Sequence, residues 1–163
     1  NSMIENGLQY EDVNGILGID TRGKVYIFKS QDLEKYNTFL PTFLFSGPLL
    51  VLDSQIQNTS DTVIWNNVRN PRTAVCISEY RELVKFVVVD GRSERALGMT
   101  IPEFATFLQS IKCRNAINLD GGGSSTMYIK NQGLVNTPTS KTYNGSTTII
   151  ERSMSNAILI QVF

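Results

Sequence analysis

The sequence contains no histidine. That absence removes any Ser-His-Asp or Cys-His catalytic device from the chain, and any zinc site built on imidazole. Two cysteines are too few for a four-thiolate site. Proton transfer must fall to Asp, Glu, Lys or Tyr, and any metal must be a hard ion on oxygen ligands. Excess charge of either sign is also missing: 15 basic residues balance 15 acidic ones among 163. No electrostatic footprint for nucleic acid or anionic membrane results. Long hydrophobic runs are absent too. Stretches such as Phe86-Val87-Val88-Val89 fall far short of the ~20 residues of a membrane helix.

What is present is a 41% hydrophobic share, enough for a buried core and against disorder. The length suits one domain, residues 1–163. Asn, Ser and Thr contribute 14 residues each, so polarity is mostly neutral. Cys76 and Cys113 can bond to each other or stay as two small buried apolar residues. Their apolar flanks favour the buried thiols, and redox compartment does not follow from them. No leader is visible, and Asn1-Ser2-Met3 does not read as a natural start: it suits an artificial end or a piece of a longer precursor.

The pattern predicts an α+β domain: a mixed β-sheet with one βαβ crossover helix and several hairpins. Gly15–Asp20 and Lys24–Phe28 flank Thr21-Arg22-Gly23 as a hairpin. A short helix is expected within Ser30–Phe39, and a strand within Thr62–Trp65. Arg72–Ile77 and the valine-rich run Leu83–Val89 read as strands. Thr100-Ile101-Pro102-Glu103 is a capping box, and Ile101, Phe104, Ala105, Leu108 and Ile111 follow as one apolar stripe. Lys112 and Arg114 would complement the helix dipole. Asn115–Leu119 is the next strand, so strand, helix and strand form a crossover between parallel strands. Thr126–Lys130 and Leu134–Asn136 read as a further hairpin, Thr137–Thr147 as a polar loop, and Ser153–Phe163 as a closing strand.

In open sheets, sites lie outside the carboxyl ends of parallel strands. Two polar corners stand there: Asp90-Gly91-Arg92 and Asn118-Leu119-Asp120-Gly121-Gly122-Gly123-Ser124-Ser125. Three glycines in a row carry an entropic cost that a plain turn does not require. Their successive amides suit an anion. The segment lacks the Gly-Lys-Ser/Thr of a P-loop and the Gly-x-Ser-x-Gly frame of a nucleophile elbow. Arg92 could fork onto phosphate, and Arg152 would share a face with Asn156 on an extended final segment. Arg72, taken alone, reads as a surface arginine. Trp65 could stack on a sugar, but a lone Trp in such a chain belongs more often to the core.

In order, Arg72-Thr73-Ala74-Val75, Val89-Asp90-Gly91-Arg92, Gly98-Met99-Thr100, Asn118 to Met127, and Glu151-Arg152 with Asn156-Ala157 resemble the phosphodiester glycosidase family. The likeness spans roughly Gly15 to Val162, with support from Gly47-Pro48-Leu49. Cys76 stands where the family usually has Gly, and Asn1 to Asn14 do not supply the family's upstream Asn-Gly-aromatic segment. The chain therefore reads as the C-terminal part of the domain, with the missing N-terminal portion as a partner.

The resemblance implies hydrolysis of a sugar 1-phosphodiester at its glycosidic bond, releasing a GlcNAc-like sugar and a phosphomonoester. It implies a phosphoglycan or sugar-phosphate substrate, no cofactor, and an extracytoplasmic location: secreted, periplasmic, or at the cell surface with exopolysaccharide. Asp120 would be the catalytic carboxylate, with Asp90 and Glu151 as rivals. Arg72, Arg92 and Arg152 would hold phosphate, with Gly122, Gly123, Ser124 and Ser125 as neutral donors and Asn118 and Asn156 as substrate contacts. Two other readings stand beside it: a phosphoglycan-binding domain without turnover, and a phosphodiesterase with Mg²⁺ or Ca²⁺ on Asp90, Asp120 and Glu151.

Overall fold

The computed structural model describes residues 12–59, 63–80, 83–141, 146–154 and 157–161. β1 (Gly15–Ile19) and β2 (Val25–Lys29) form the expected hairpin, with Ile16 opposite Phe28. Asp20 makes its turn: Oδ1 accepts from the amides of Arg22 at 2.8 Å and Lys24 at 2.9 Å. These bonds, that of Lys24 foremost, hold the Asp20 carboxyl below its ordinary range. The next segment coils into a 3₁₀ turn, Ser30–Asp32, and one helical turn, α1 (Leu33–Tyr36). β3 (Thr42–Ser46) then pairs with β1, giving the sheet order β2-β1-β3.

The larger sheet has the order β5-β4-β8-β6-β7. Its strands are β4 (Leu49–Leu52), β5 (Gln55–Ile56), β6 (Arg72–Ser78), β7 (Val84–Val89) and β8 (Cys113–Asn118). Every adjacent pair is antiparallel. The crossover helix α2 (Ile101–Ser110) joins β7 to β8, and because both run antiparallel to β6 they run parallel to each other. They are not neighbours, as the simple βαβ pattern would have them. The short link between β6 and β7 makes those two a hairpin, so the crossover sets β8 down on the far side of β6.

α2 begins as its sequence predicts. The Thr100 hydroxyl accepts from the Glu103 amide at 3.3 Å, and the Glu103 carboxylate accepts from the Thr100 amide at 2.9 Å. At the other end, Lys85 of β7 donates to the Ile111 carbonyl at 2.6 Å. Arg114 instead pairs with Asp53 at 3.7 Å. A cation from the sheet thus serves the helix C-terminus, a partner that local spacing could not show.

The five-stranded sheet lies between two apolar layers. On one face Ile101, Phe104, Ala105 and Leu108 of α2 pack against Val51, Ala74, Cys76 and Ala116. On the other, Val75 and Ile117 meet Leu17 and Ile27 of the small sheet. Behind the small sheet, Ile16, Phe28 and Leu40 form a third cluster, with Tyr36 stacked on Phe28 at 4.0 Å. Cys76 and Cys113 are joined in a disulfide, against the free-thiol expectation, and both are fully buried. Neighbouring strands bring their Cα atoms to 5.6 Å, a spacing at which a bridge forms.

Three other expectations change. Ile64–Asn66 is a 3₁₀ turn rather than a strand. The stretch expected to be a polar loop carries β11 (Thr139–Lys141), paired with β12 (Thr147–Ile149), beyond the hairpin of β9 (Tyr128–Ile129) and β10 (Gly133–Leu134). The described residues of the supposed closing strand, 153–154 and 157–161, belong to no strand. Alternation predicts a strand only where a neighbouring edge accepts it, and here Ile158, Leu159 and Ile160 stay exposed.

Candidate functional site

Because β7 and β8 run the same way and β6 opposes them, the ends of β7 and β8 and the start of β6 share one rim of the sheet. Asp90, Asp120 and Arg72 therefore gather there, as the crossover rule anticipates. The glycine segment leaves β8 and turns through a 3₁₀ step at Gly122–Ser124. Gly121 lies on the Pro71 carbonyl, only 2.8 Å from where a Cβ would stand. Gly122, at φ +60°, lies beneath the Arg92 guanidinium, whose Nη2 is 2.8 Å from an added Cβ. Gly123 meets Ser140 Oγ at 2.9 Å and Arg152 Cδ at 3.6 Å by the same measure. Gly122 thus makes room for an arginine, and Gly123 for Ser140.

Asp120 is exposed. Its Oδ1 accepts from the Gly121 amide at 2.9 Å, and its Oδ2 from the Ser124 hydroxyl at 2.5 Å. Arg152 brings Nη2 to the Ser124 hydroxyl and stands 3.4 Å from Asp120 Oδ2. Arg92 adopts φ 59° and donates through Nε to Asn70 Oδ1 at 3.0 Å. Its two Nη groups bond no described residue, so its fork is open. Burial, and then the repulsion of Arg152, lower the Arg92 pKa, which records how near the two cations lie.

Other residues of the rim face inward. Arg72, 6% exposed, is no surface arginine. It donates to the carbonyls of Met99 at 2.8 Å, Trp65 at 2.8 Å and Val68 at 2.7 Å. Burial, with Arg92 a lesser cause, draws its pKa down to about 10, so it stays charged at neutral pH. Ser125 is wholly buried and accepts from Thr73 Oγ1 at 3.0 Å. Asp90 binds the Thr137 amide at 3.0 Å and Asn136 Nδ2 at 3.0 Å. Asn118, 8% exposed, donates to the Gly47 carbonyl at 2.9 Å, while its Oδ1 has no partner. The amides of Gly122, Ser124 and Ser125 are engaged with the carbonyls of Pro71, Gly121 and Gly122. The nest of donors expected there is therefore largely spent on the turn itself.

Glu151 is exposed beside Arg152, and Asn156 lies outside the described residues. Trp65 is 68% exposed, which overturns its assignment to the core. Among the described residues, no three of His, Cys, Asp and Glu come together as a metal-holding group. Two residues went unnoticed in the sequence. Asn70 orients Arg92, and Asn136 touches both corners of the site. Asn70 had a weak signal in its place before Pro71 and Arg72; Asn136 had none.

The sequence profile of the phosphodiester glycosidase family matches residues 1–161. N-acetylglucosamine-1-phosphodiester α-N-acetylglucosaminidase of Mus musculus is 32% identical over 117 residues, covering 72% of this chain and 19% of that protein. A prophage-derived protein of Bacillus subtilis is 37% identical over 92 residues, 55% of this chain and 14% of its own length. The zebrafish N-acetylglucosamine-1-phosphodiester α-N-acetylglucosaminidase catalytic domain superposes with a TM-score of 0.65 at 26% identity, covering 86% of this chain and 50% of the zebrafish chain. The chain thus spans about half of that catalytic domain and about a fifth of the mouse protein.

Proposed function

The chain belongs to the phosphodiester glycosidase family, and from that premise we propose that its rim hydrolyses the glycosidic bond of a sugar 1-phosphodiester. The observation that carries this reading is the open fork of Arg92, set beside Arg152 with Asp120 at hand. Two adjacent cations against one carboxylate favour a phosphate group. A phosphomonoester is a good leaving group, so holding its charge matters more than protonating it. Asp120, its oxygens oriented by Gly121 and Ser124, serves the sugar side. Water adds its oxygen to the anomeric carbon and gives a proton to Asp120. The carbon–oxygen bond breaks, and its electron pair leaves with the phosphate.

Arg72 acts from behind, as a buried charge that fixes the Trp65–Val68 loop. Trp65, whose carbonyl Arg72 holds, has an exposed ring that could stack on a pyranose face. Asp90 holds the scaffold rather than substrate. A GlcNAc-like sugar follows the substrate named for the mouse relative. An extracytoplasmic, secreted or cell-surface setting is supported by the disulfide. No described helix is long and apolar enough to cross a membrane.

The test is Asp120→Asn in the complete protein with an aryl GlcNAc 1-phosphodiester, run in ¹⁸O-water. The expected result is a fall in kcat of about 10³-fold, with the wild-type label appearing in the sugar. Label in the phosphate would move the reaction to phosphorus. Sugar-phosphate binding without wild-type turnover would leave a binding domain.

A further inference from the structure

Three hydrogen bonds meet on one residue that the reaction scheme does not use. Asn136 donates through Nδ2 to Asp90 Oδ1 at 3.0 Å and to the Ser125 carbonyl at 2.9 Å. Its Oδ1 accepts from the Met127 amide at 2.7 Å. Both amide hydrogens are spent, one on each corner of the rim. Asp90 stands two residues before Arg92, and Ser125 follows Ser124 directly. The adjoining contacts strengthen the same join. The Thr137 amide binds both Asp90 oxygens, at 3.0 Å and 3.1 Å, and the buried Thr139 hydroxyl donates to the Gly91 carbonyl at 2.8 Å.

We propose that Asn136 is a positioning residue that sets the distance between the Arg92 fork and the Asp120–Ser124 pair. It thereby tunes the site for a phosphate spanning the two. This rests on the anion-site reading given above. The two corners come from different strand ends. Each is tied to the start of β6, through Gly122 to the Pro71 carbonyl at 2.8 Å and through the Arg72–Val89 pairing, but among the described residues no backbone bond runs directly from one corner to the other. A side-chain amide is suited to the task because it can donate to a carboxylate and a carbonyl at once. An aspartate in its place could not donate to Asp90 or to Ser125. It would instead set a second carboxylate against Asp90.

The experiment uses the ligand-free chain and inorganic phosphate as the probe. In Asn136→Ala, which removes all three bonds, the Arg92 Nε–H and Gly123 amide resonances should shift without phosphate, and phosphate should bind about tenfold more weakly as the two corners lose their spacing. Asn136→Ser repeats both readouts should the alanine variant unfold. Gln109→Ala serves as a control for plain loss of stability. It removes a side-chain bond to the Ser54 carbonyl of 2.8 Å, at the opposite end of the sheet beside the start of β8, and should leave phosphate affinity unchanged. Unshifted Arg92 and Gly123 resonances in a folded Asn136 variant would overturn the proposal. So would shifted resonances with unchanged phosphate affinity. Shifted resonances in a protein whose wild type binds no phosphate would keep the latch and discard the anion site instead.

Discussion

The two regions that build the candidate site are held in opposite ways. The platform, with β6, β8 and α2, is closed by a buried disulfide and by side chains such as Phe104 and Ile117 with no exposure at all. The arm that delivers Arg152, residues 146–154 with 157–161, touches the rest of the described structure mainly through the β11–β12 pairing. Its apolar side chains face outward, with Ile149 75% and Leu159 90% exposed. A two-stranded pairing is marginal on its own. The carboxylate and one arginine thus stand on a rigid base, while the second arginine is carried by an element with little burial behind it. Under the proposed function, this division would fix the carboxylate and leave the grip on the phosphate adjustable.

The largest effect should come from cutting the platform's cross-link. The bridge spans 37 residues, so the paired change Cys76→Ala with Cys113→Ala should cost about 4 kcal/mol on the loop-closure account. Urea unfolding measures it. A loss as small as that of a surface change would mean the platform does not depend on its bridge. Next in size is Gly122→Ala. It combines a positive φ with a Cβ driven toward the Arg92 guanidinium. About 2 kcal/mol of stability should go, and phosphate affinity with it; a variant with wild-type affinity would show that Arg92 has room to move aside.

Arg152→Ala tests the arm alone. Phosphodiester KM should rise about tenfold, the scale of one charge-assisted contact, while urea stability stays the same because the residue is exposed and its ion pair weak. An equal loss of stability would join the arm to the platform and end the contrast. The smallest effect concerns acid. Asp20 has its folded pKa lowered, with 3.8 as the ordinary value. Its stabilisation is full above that value and is lost as pH falls through the folded pKa. Thermal melts of Asp20→Asn should therefore lose less stability between pH 5 and pH 3 than the wild type, with pH bounds of about that range. Identical slopes would remove Asp20 from the acid response.

The sequence disclosed the platform far better than the arm, for a physical reason. The Thr100–Glu103 capping box, the β1–β2 hairpin and the Asp90 and Asp120 corners depend on residues near one another in the chain. Their patterns report directly on structure. The triple glycine was legible as unusual, but its reason was not. Gly122 and Gly123 yield space to Arg92 and Ser140, 30 and 17 residues away by the numbering. The disulfide escaped for the same cause, since only strand order brings Cys76 beside Cys113. Ser153–Phe163 failed in the other direction: its alternation fits a strand, but among the described residues no sheet edge takes it up.

Since β6 begins at the candidate rim, it must end at the opposite one, and there Tyr80 projects with 68% of its surface free. That far edge is a natural handle. A cysteine-reactive dye or a surface tether placed at position 80 would hold the protein by its back. The candidate rim would then face outward, open to the inorganic phosphate probe.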